Sequence, residues 1–146
     1  MPAHYDRLDV RFLYPENWTL QEELDDWPHE ITVQSPGSAW WELQIYPTKL
    51  PPEKLAADIL QAMQAEYKDV ESEPIAEDIG PWPVVGYSLN FFCLDLLIAY
   101  QVRCLCVKEH TYVLIYEAED QEFDRQQLVF EAMTRSLLAA GAGEAG

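Results

Sequence analysis

The chain has 146 residues, of which 49% are hydrophobic, and a formal charge of −17 at pH 7. That length and apolar content suit one domain burying roughly 70% of the surface its unfolded chain would expose, and they exclude disorder. The charge excludes binding to nucleic-acid phosphates or anionic membranes, both of which need clustered Lys and Arg; cationic partners or simple solubility fit it.

The opening MPAHYDRLDVRF lacks the basic start and apolar centre of a secretory leader, so none is expected. Leu8 to Tyr14 alternates as a strand, with Val10, Phe12 and Tyr14 on one face. Pro15-Glu16-Asn17 is a turn, and Trp18 then plugs the core where the chain re-enters. Glu22 to Glu30 (EELDDWPHE) carries five carboxylates in nine residues and has no period, which predicts an exposed loop. Ile31 and Val33 are the inward side of a second strand, and Ser35-Pro36-Gly37-Ser38 is a hairpin turn. The third strand, Ala39 to Tyr46, sets Trp41, Leu43 and Ile45 on one face and Trp40, Glu42, Gln44 and Tyr46 on the other.

Pro51-Pro52 introduces a helix over about Glu53 to Lys68, with Leu55, Ile59, Ala62, Met63 and Tyr67 as its apolar stripe. The acidic stretch Asp69 to Asp78 has room for a short edge strand around Glu71 to Ala76. From Val84 to Ala118 the chain is rich in β-branched, aromatic and Cys residues, broken at Leu94-Asp95-Leu96 and Glu109-His110, which predicts three antiparallel strands. Their apolar groups lie on both faces, so both faces must be covered. A second helix is predicted from about Arg125 to Ala139, with Asp124 as N-cap, Gln127 as its capping-box partner and Gly141 as its end. Its stripe is Leu128, Val129, Ala132, Met133 and Leu137.

The expected fold is therefore α+β: a single-domain α/β/α sandwich over residues 1–140, with a flexible tail at 141–146. A central antiparallel sheet of about six strands would carry a helix on each face, in the order β-β-β-α-β-β-β-α. The segment Phe12-Leu13-Tyr14-Pro15-Glu16-Asn17-Trp18 resembles the strand–Pro–x–x–Trp opening of the PsbP-like superfamily. That group includes the photosystem II extrinsic subunit, the Ran-binding nuclear import factor and small bacterial proteins. The resemblance implies the sandwich fold and a binding role without catalysis. One bacterial branch looks like chaperones for type VI secretion effectors, but here Thr19-Leu20-Gln21 replaces that branch's Trp-x-Asp-x-Ser continuation.

The chain's own chemistry points the same way. Cys93, Cys104 and Cys106 fall in apolar strands, which blunts a thiol, and no G-x-S-x-G is present. The three read as free thiols of a reducing, cytoplasmic compartment. His4, His29 and His110 are scattered, and Cys104-x-Cys106 lacks a second pair, so no metal site is expected. Glu117 to Asp124 (EAEDQEFD) has the charge of a calcium loop without its Gly turn, and reads as a solvated run. Asp25, Asp26 and His29 could mimic an acid–base pair, but an exposed loop gives them no reason to be catalytic. No phosphate loop exists, and no cofactor is expected.

Aromatic anchors among acids are what interfaces use. The expected function is a non-enzymatic, adaptor-like or chaperone-like domain that recognises a basic or amphipathic protein. The candidate residues are Trp27, Trp40, Tyr46, Glu22, Glu23, Asp25 and Asp26. For Trp40 the competing expectation is burial under the second helix. The alternative function is a small-ligand or apolar-peptide binder with a groove between sheet and helix.

Overall fold

The computed structural model describes residues 2–7 and 9–145, with the backbone alone for 142–145. Among them the order is β1 (Pro2–Arg7), β2 (Val10–Pro15), β3 (Thr19–Glu23), β4 (His29–Gln34), β5 (Trp40–Tyr46), α1 (Pro52–Glu66), β6 (Glu71–Ile79), β7 (Trp82–Cys93), β8 (Leu96–Val107), β9 (His110–Glu119) and α2 (Asp120–Ala145). Seven strands form one antiparallel sheet in the order β3-β4-β5-β9-β8-β7-β6. The other two, β1 and β2, pair as a separate hairpin.

Each helix takes one face. On one side Ala56, Leu55, Ile59, Leu60 and Met63 of α1 pack against Leu89, Phe91, Val102 and Cys104. On the other, Phe123, Phe130, Met133, Leu137 and Leu138 of α2 close over Trp41, Leu43, Leu105, Leu114 and Tyr116. The β1–β2 hairpin joins this second layer through Tyr5, Val10 and Phe12. Trp18, nearly buried, meets Phe130 edge-on at 6.1 Å. The sandwich is the expected one.

Four local expectations need correction. The alternating segment before Pro15 is a strand, with Val10 and Phe12 inward as expected, but it pairs with β1 in a separate hairpin that roofs the α2 side and does not join the central sheet. The acidic stretch after Trp18 is partly strand: β3 borders the sheet through Glu22–Ile31 and Glu23–Glu30 pairing, with Glu23 exposed at that edge. The edge strand after α1 is longer than expected, reaching Ile79. Finally, α2 begins at Asp120, so Asp124 is not its cap, and it runs through Gly141. Gly141 lies against Val107 and Trp82. The predicted mobile tail otherwise lies largely outside the described side chains.

Of the expected α2 stripe, Met133 and Leu137 lie in the core and Val129 packs against it, whereas Leu128 and Ala132 face outward. Phe123, Phe130 and Leu137 repeat every seven residues and take the core, leaving Leu128 78% exposed. Glu122 in its first turn receives hydrogen bonds from Ser38 N–H and Oγ, from Ala39 N–H and from Ser35 Oγ. This ties the β4–β5 turn to the start of the helix. In the middle of the layer Thr134 Oγ1 accepts from Trp41 Nε1 and shares a short hydrogen bond with the Tyr116 hydroxyl.

Candidate functional site

α1 lies over β7 and β8, and its layer takes in Val113 and Ile115 of β9, so the part of the same face made by β3, β4 and most of β5 lies beyond the helix. Strand alternation and register decide what stands there. One row across the strands reads Gln34, Trp40, Glu117, Tyr100; the next reads Gln21, Thr32, Glu42, Ile115; the third reads Glu23, Glu30, Gln44, Val113. Tyr46 follows opposite Thr111. Four carboxylates, exposed Glu23 and Glu30 and half-buried Glu42 and Glu117, thus share one aromatic-edged floor beside α1. Among the described residues no Lys or Arg pairs with any of them.

Their electrostatics follow from that crowding. Glu42 is held by Thr32 Oγ1 at 3.3 Å and Gln44 Nε2 at 2.7 Å. Partial burial, then the charge of Glu42, pushes Glu117 up to about 6. Burial, with Glu42 and Glu23 beside it, raises Glu30 as well. Burial raises Tyr46 and Tyr100, the latter also facing Glu117 and Glu42. The Trp40 Nε1 donor is buried without an acceptor among the described residues. The floor therefore holds excess negative charge and aromatic surface, which suits a cationic group carried on an apolar body.

The sequence-predicted residues divide among three places. Trp40, Tyr46 and Glu23 join the floor. The second helix does not cover Trp40; that helix covers its neighbour Trp41 instead. Glu22 points to the other side, where it binds Arg7 and the Tyr5 hydroxyl, so it is a hairpin anchor. Asp25, Asp26 and Trp27 sit in the β3–β4 connection at one pole. There Trp27, half exposed, stacks on His29 at 3.7 Å and lies 6.2 Å from His110. The three rings line a cavity of about 490 Å³ with Ile45, Val107 and Tyr112.

Glu30 and Glu117 were missed as site residues. Glu117 stands in a run that reads as solvated, and only its pairing with Trp40 turns it inward. Strand alternation had already placed Glu42 beside Trp40. Elsewhere, Cys104 is buried and its thiol is pushed up to about 12, which suits packing and not nucleophilic attack. Among the described residues no group of three or more His, Cys, Asp or Glu is placed to hold a metal ion, and no helix is long and apolar enough to cross a membrane.

An antiparallel sheet held between two helices defines the class: an α/β/α sandwich. No protein-family model matches the sequence, and no curated protein matches it. Solved structures do. Cyanobacterial PsbP (CyanoP) of Synechocystis sp. PCC 6803 is similar at TM-score 0.67 and 12% identity, over 92% of this chain and 90% of that one. PA94 of Pseudomonas aeruginosa, a protein of unknown function, is similar at TM-score 0.62 and 8% identity, over 93% and 95%. The fold is PsbP-like, as the strand–Pro–x–x–Trp opening implied. At such identities the likeness carries the fold and no function.

Proposed function

We propose that this chain is a non-enzymatic interaction domain, adaptor-like or chaperone-like, that binds a basic or amphipathic protein partner on the acidic floor beside α1. The observation carrying this reading is the four-carboxylate floor beside Trp40 and Tyr46, which has no cation of its own among the described residues. A partner's Arg or Lys would neutralise it, and the apolar stem of that side chain would lie along the rings. The three free thiols support a reducing, cytoplasmic setting.

The test is an NMR titration of the labelled chain with an amphipathic peptide of Leu and Arg. At low salt, shifts should concentrate on β4, β5 and β9 and should fade at about 0.5 M NaCl. The combined variant Glu30→Gln, Glu42→Gln, Glu117→Gln should bind about tenfold more weakly or worse. Binding that spares this face, or survives the triple variant intact, would sink the reading. A second reading, a small-ligand or apolar-peptide site, is favoured by the cavity under Trp27. It predicts that an indole-sized ligand shifts the His29 and His110 ring signals and that Trp27→Ala abolishes this.

A further inference from the structure

Among the described residues Arg103 is the one buried cation. It stands on β8 beside Leu114, on the α2 side of the sheet and so across it from the acidic floor. Its side chain is nine-tenths buried. Removing a guanidinium from water is costly unless its N–H groups are matched. Here the matching is partial. Nε donates to Glu77 Oε1 at 2.7 Å, Nη1 donates to Gln101 Oε1 at 2.8 Å, and the group lies 4.8 Å above the Tyr116 ring. A guanidinium carries five N–H groups. Both of those on Nη2, and the second on Nη1, have no acceptor among the described residues.

Two hydroxyls beside it repeat this surplus of donors. Thr134 Oγ1 already accepts from Trp41 Nε1. In the bond between Thr134 and Tyr116 only one of the two O–H groups can be the donor. The other hydroxyl hydrogen has no acceptor among the described residues.

Arg103, Tyr116 and Thr134 all line one cavity of about 260 Å³, between α2 and β6 at the far edge of the sheet. Its less buried lining is charged: Asp78 of β6, with Glu131 and Arg135 of α2. Glu131 and Arg135 are one turn apart, a spacing at which such pairs commonly join. Yet among the described residues no ion pair joins these two, or ties either of them or Asp78 to another side chain. A donor-rich inner end and unengaged charges of both signs thus meet in one small space.

The occupant follows from those signs. The inner end calls for acceptor oxygens, and a carboxylate fits the edge of a guanidinium with two of them. A bare anion would meet Glu77, Asp78, Glu131 and the field of a chain of −17 charge. A bare cation would meet Arg103 and Arg135. A molecule carrying both charges escapes both objections, and the volume is below the roughly 300–1,000 Å³ of drug-sized sites. We infer that this cavity binds a small zwitterion, an α-amino acid with a short side chain, with its carboxylate on Arg103 and its ammonium toward Asp78 and Glu131. The site goes beyond the proposed function and does not rest on it.

The experiment is an NMR titration of the ¹⁵N-labelled full chain with glycine, L-alanine and L-serine. Each is taken to about 50 mM, well above a millimolar Kd. At least one should shift the Trp41 indole and Arg103 Nε–H signals saturably while the Trp40 indole stays still. The amide and the N-acetyl derivative of that amino acid each lack one charge and should bind at least about tenfold more weakly. Arg103→Lys keeps the charge but loses the planar fork, and should weaken binding about tenfold or more. The double variant Asp78→Asn, Glu131→Gln removes no hydrogen bond or ion pair of the described residues, and should weaken it to a similar degree. Should Arg103→Lys unfold, the double variant and the two derivatives still decide. No saturable shift with any of the three amino acids overturns the inference. So does equal binding of acetate or of the N-acetyl derivative, which would make this an anion site, and so does binding that the double variant leaves intact.

Discussion

At the scale of single residues, burial without a partner decides the behaviour of the acidic floor. Burial holds Glu117 at about 6, above its ordinary 4.5, and the neighbouring Glu42 adds to this. A carboxyl raised on folding contributes stability that is complete below the unfolded value and is lost as pH rises through the folded one. Acidification from pH 8 towards 4.5 therefore strengthens the fold through Glu117, against the usual direction of acid denaturation. Glu117→Gln should stabilise the chain by about 1–2 kcal/mol at pH 8 and by almost nothing near pH 4.5. Urea unfolding at both pH values checks this, and an equal gain at both would reject the explanation. By its sequence the acidic run around Glu117 reads as solvent-facing; only the pairing with Trp40 places this carboxylate on the half-buried floor.

At the scale of elements, one carboxylate joins two segments far apart in sequence. Burial alone would raise Glu122, but hydrogen bonds from Ser38, Ser35 and Ala39 outweigh it and lower its value. Glu122→Ala leaves those donors of the β4–β5 turn without their acceptor and should cost about 1–3 kcal/mol at pH 7. The penalty should shrink as pH falls below 4.5, because the wild-type carboxyl then loses its charge and its advantage. A penalty constant from pH 7 to 3 would mean that packing, not charge, makes the link. The alternation in β5 was legible, and so was the first helix, to within two residues of its ends. The start of α2 was not: an Asp–Gln capping pattern at 124 and 127 looks like a beginning, yet the helix already runs there because Phe123 is needed in the core. Propensity yielded to burial.

At the scale of the whole molecule, the −17 charge opposes compaction, and salt relieves it. The thermal midpoint should rise by about 3–5 °C between 10 mM and about 0.5 M NaCl. Binding of a basic partner to the floor should weaken over the same range. A midpoint that falls with salt would show local ion pairs outweighing the net repulsion; the exposed Lys54–Asp58 pair would then matter more than its geometry suggests.

Sequence alone determined the layered architecture, because strands apolar on both faces demand a cover on each, and two amphipathic helices were available to supply it. It also determined the charge and the type of residue available for recognition. Only the tertiary structure decided which acids share a surface, which face Trp40 occupies, and that the first apolar hairpin becomes a roof instead of a strand of the sheet. The reason is register: local pattern sets which side chains alternate, but only the pairing of distant strands sets which of them meet.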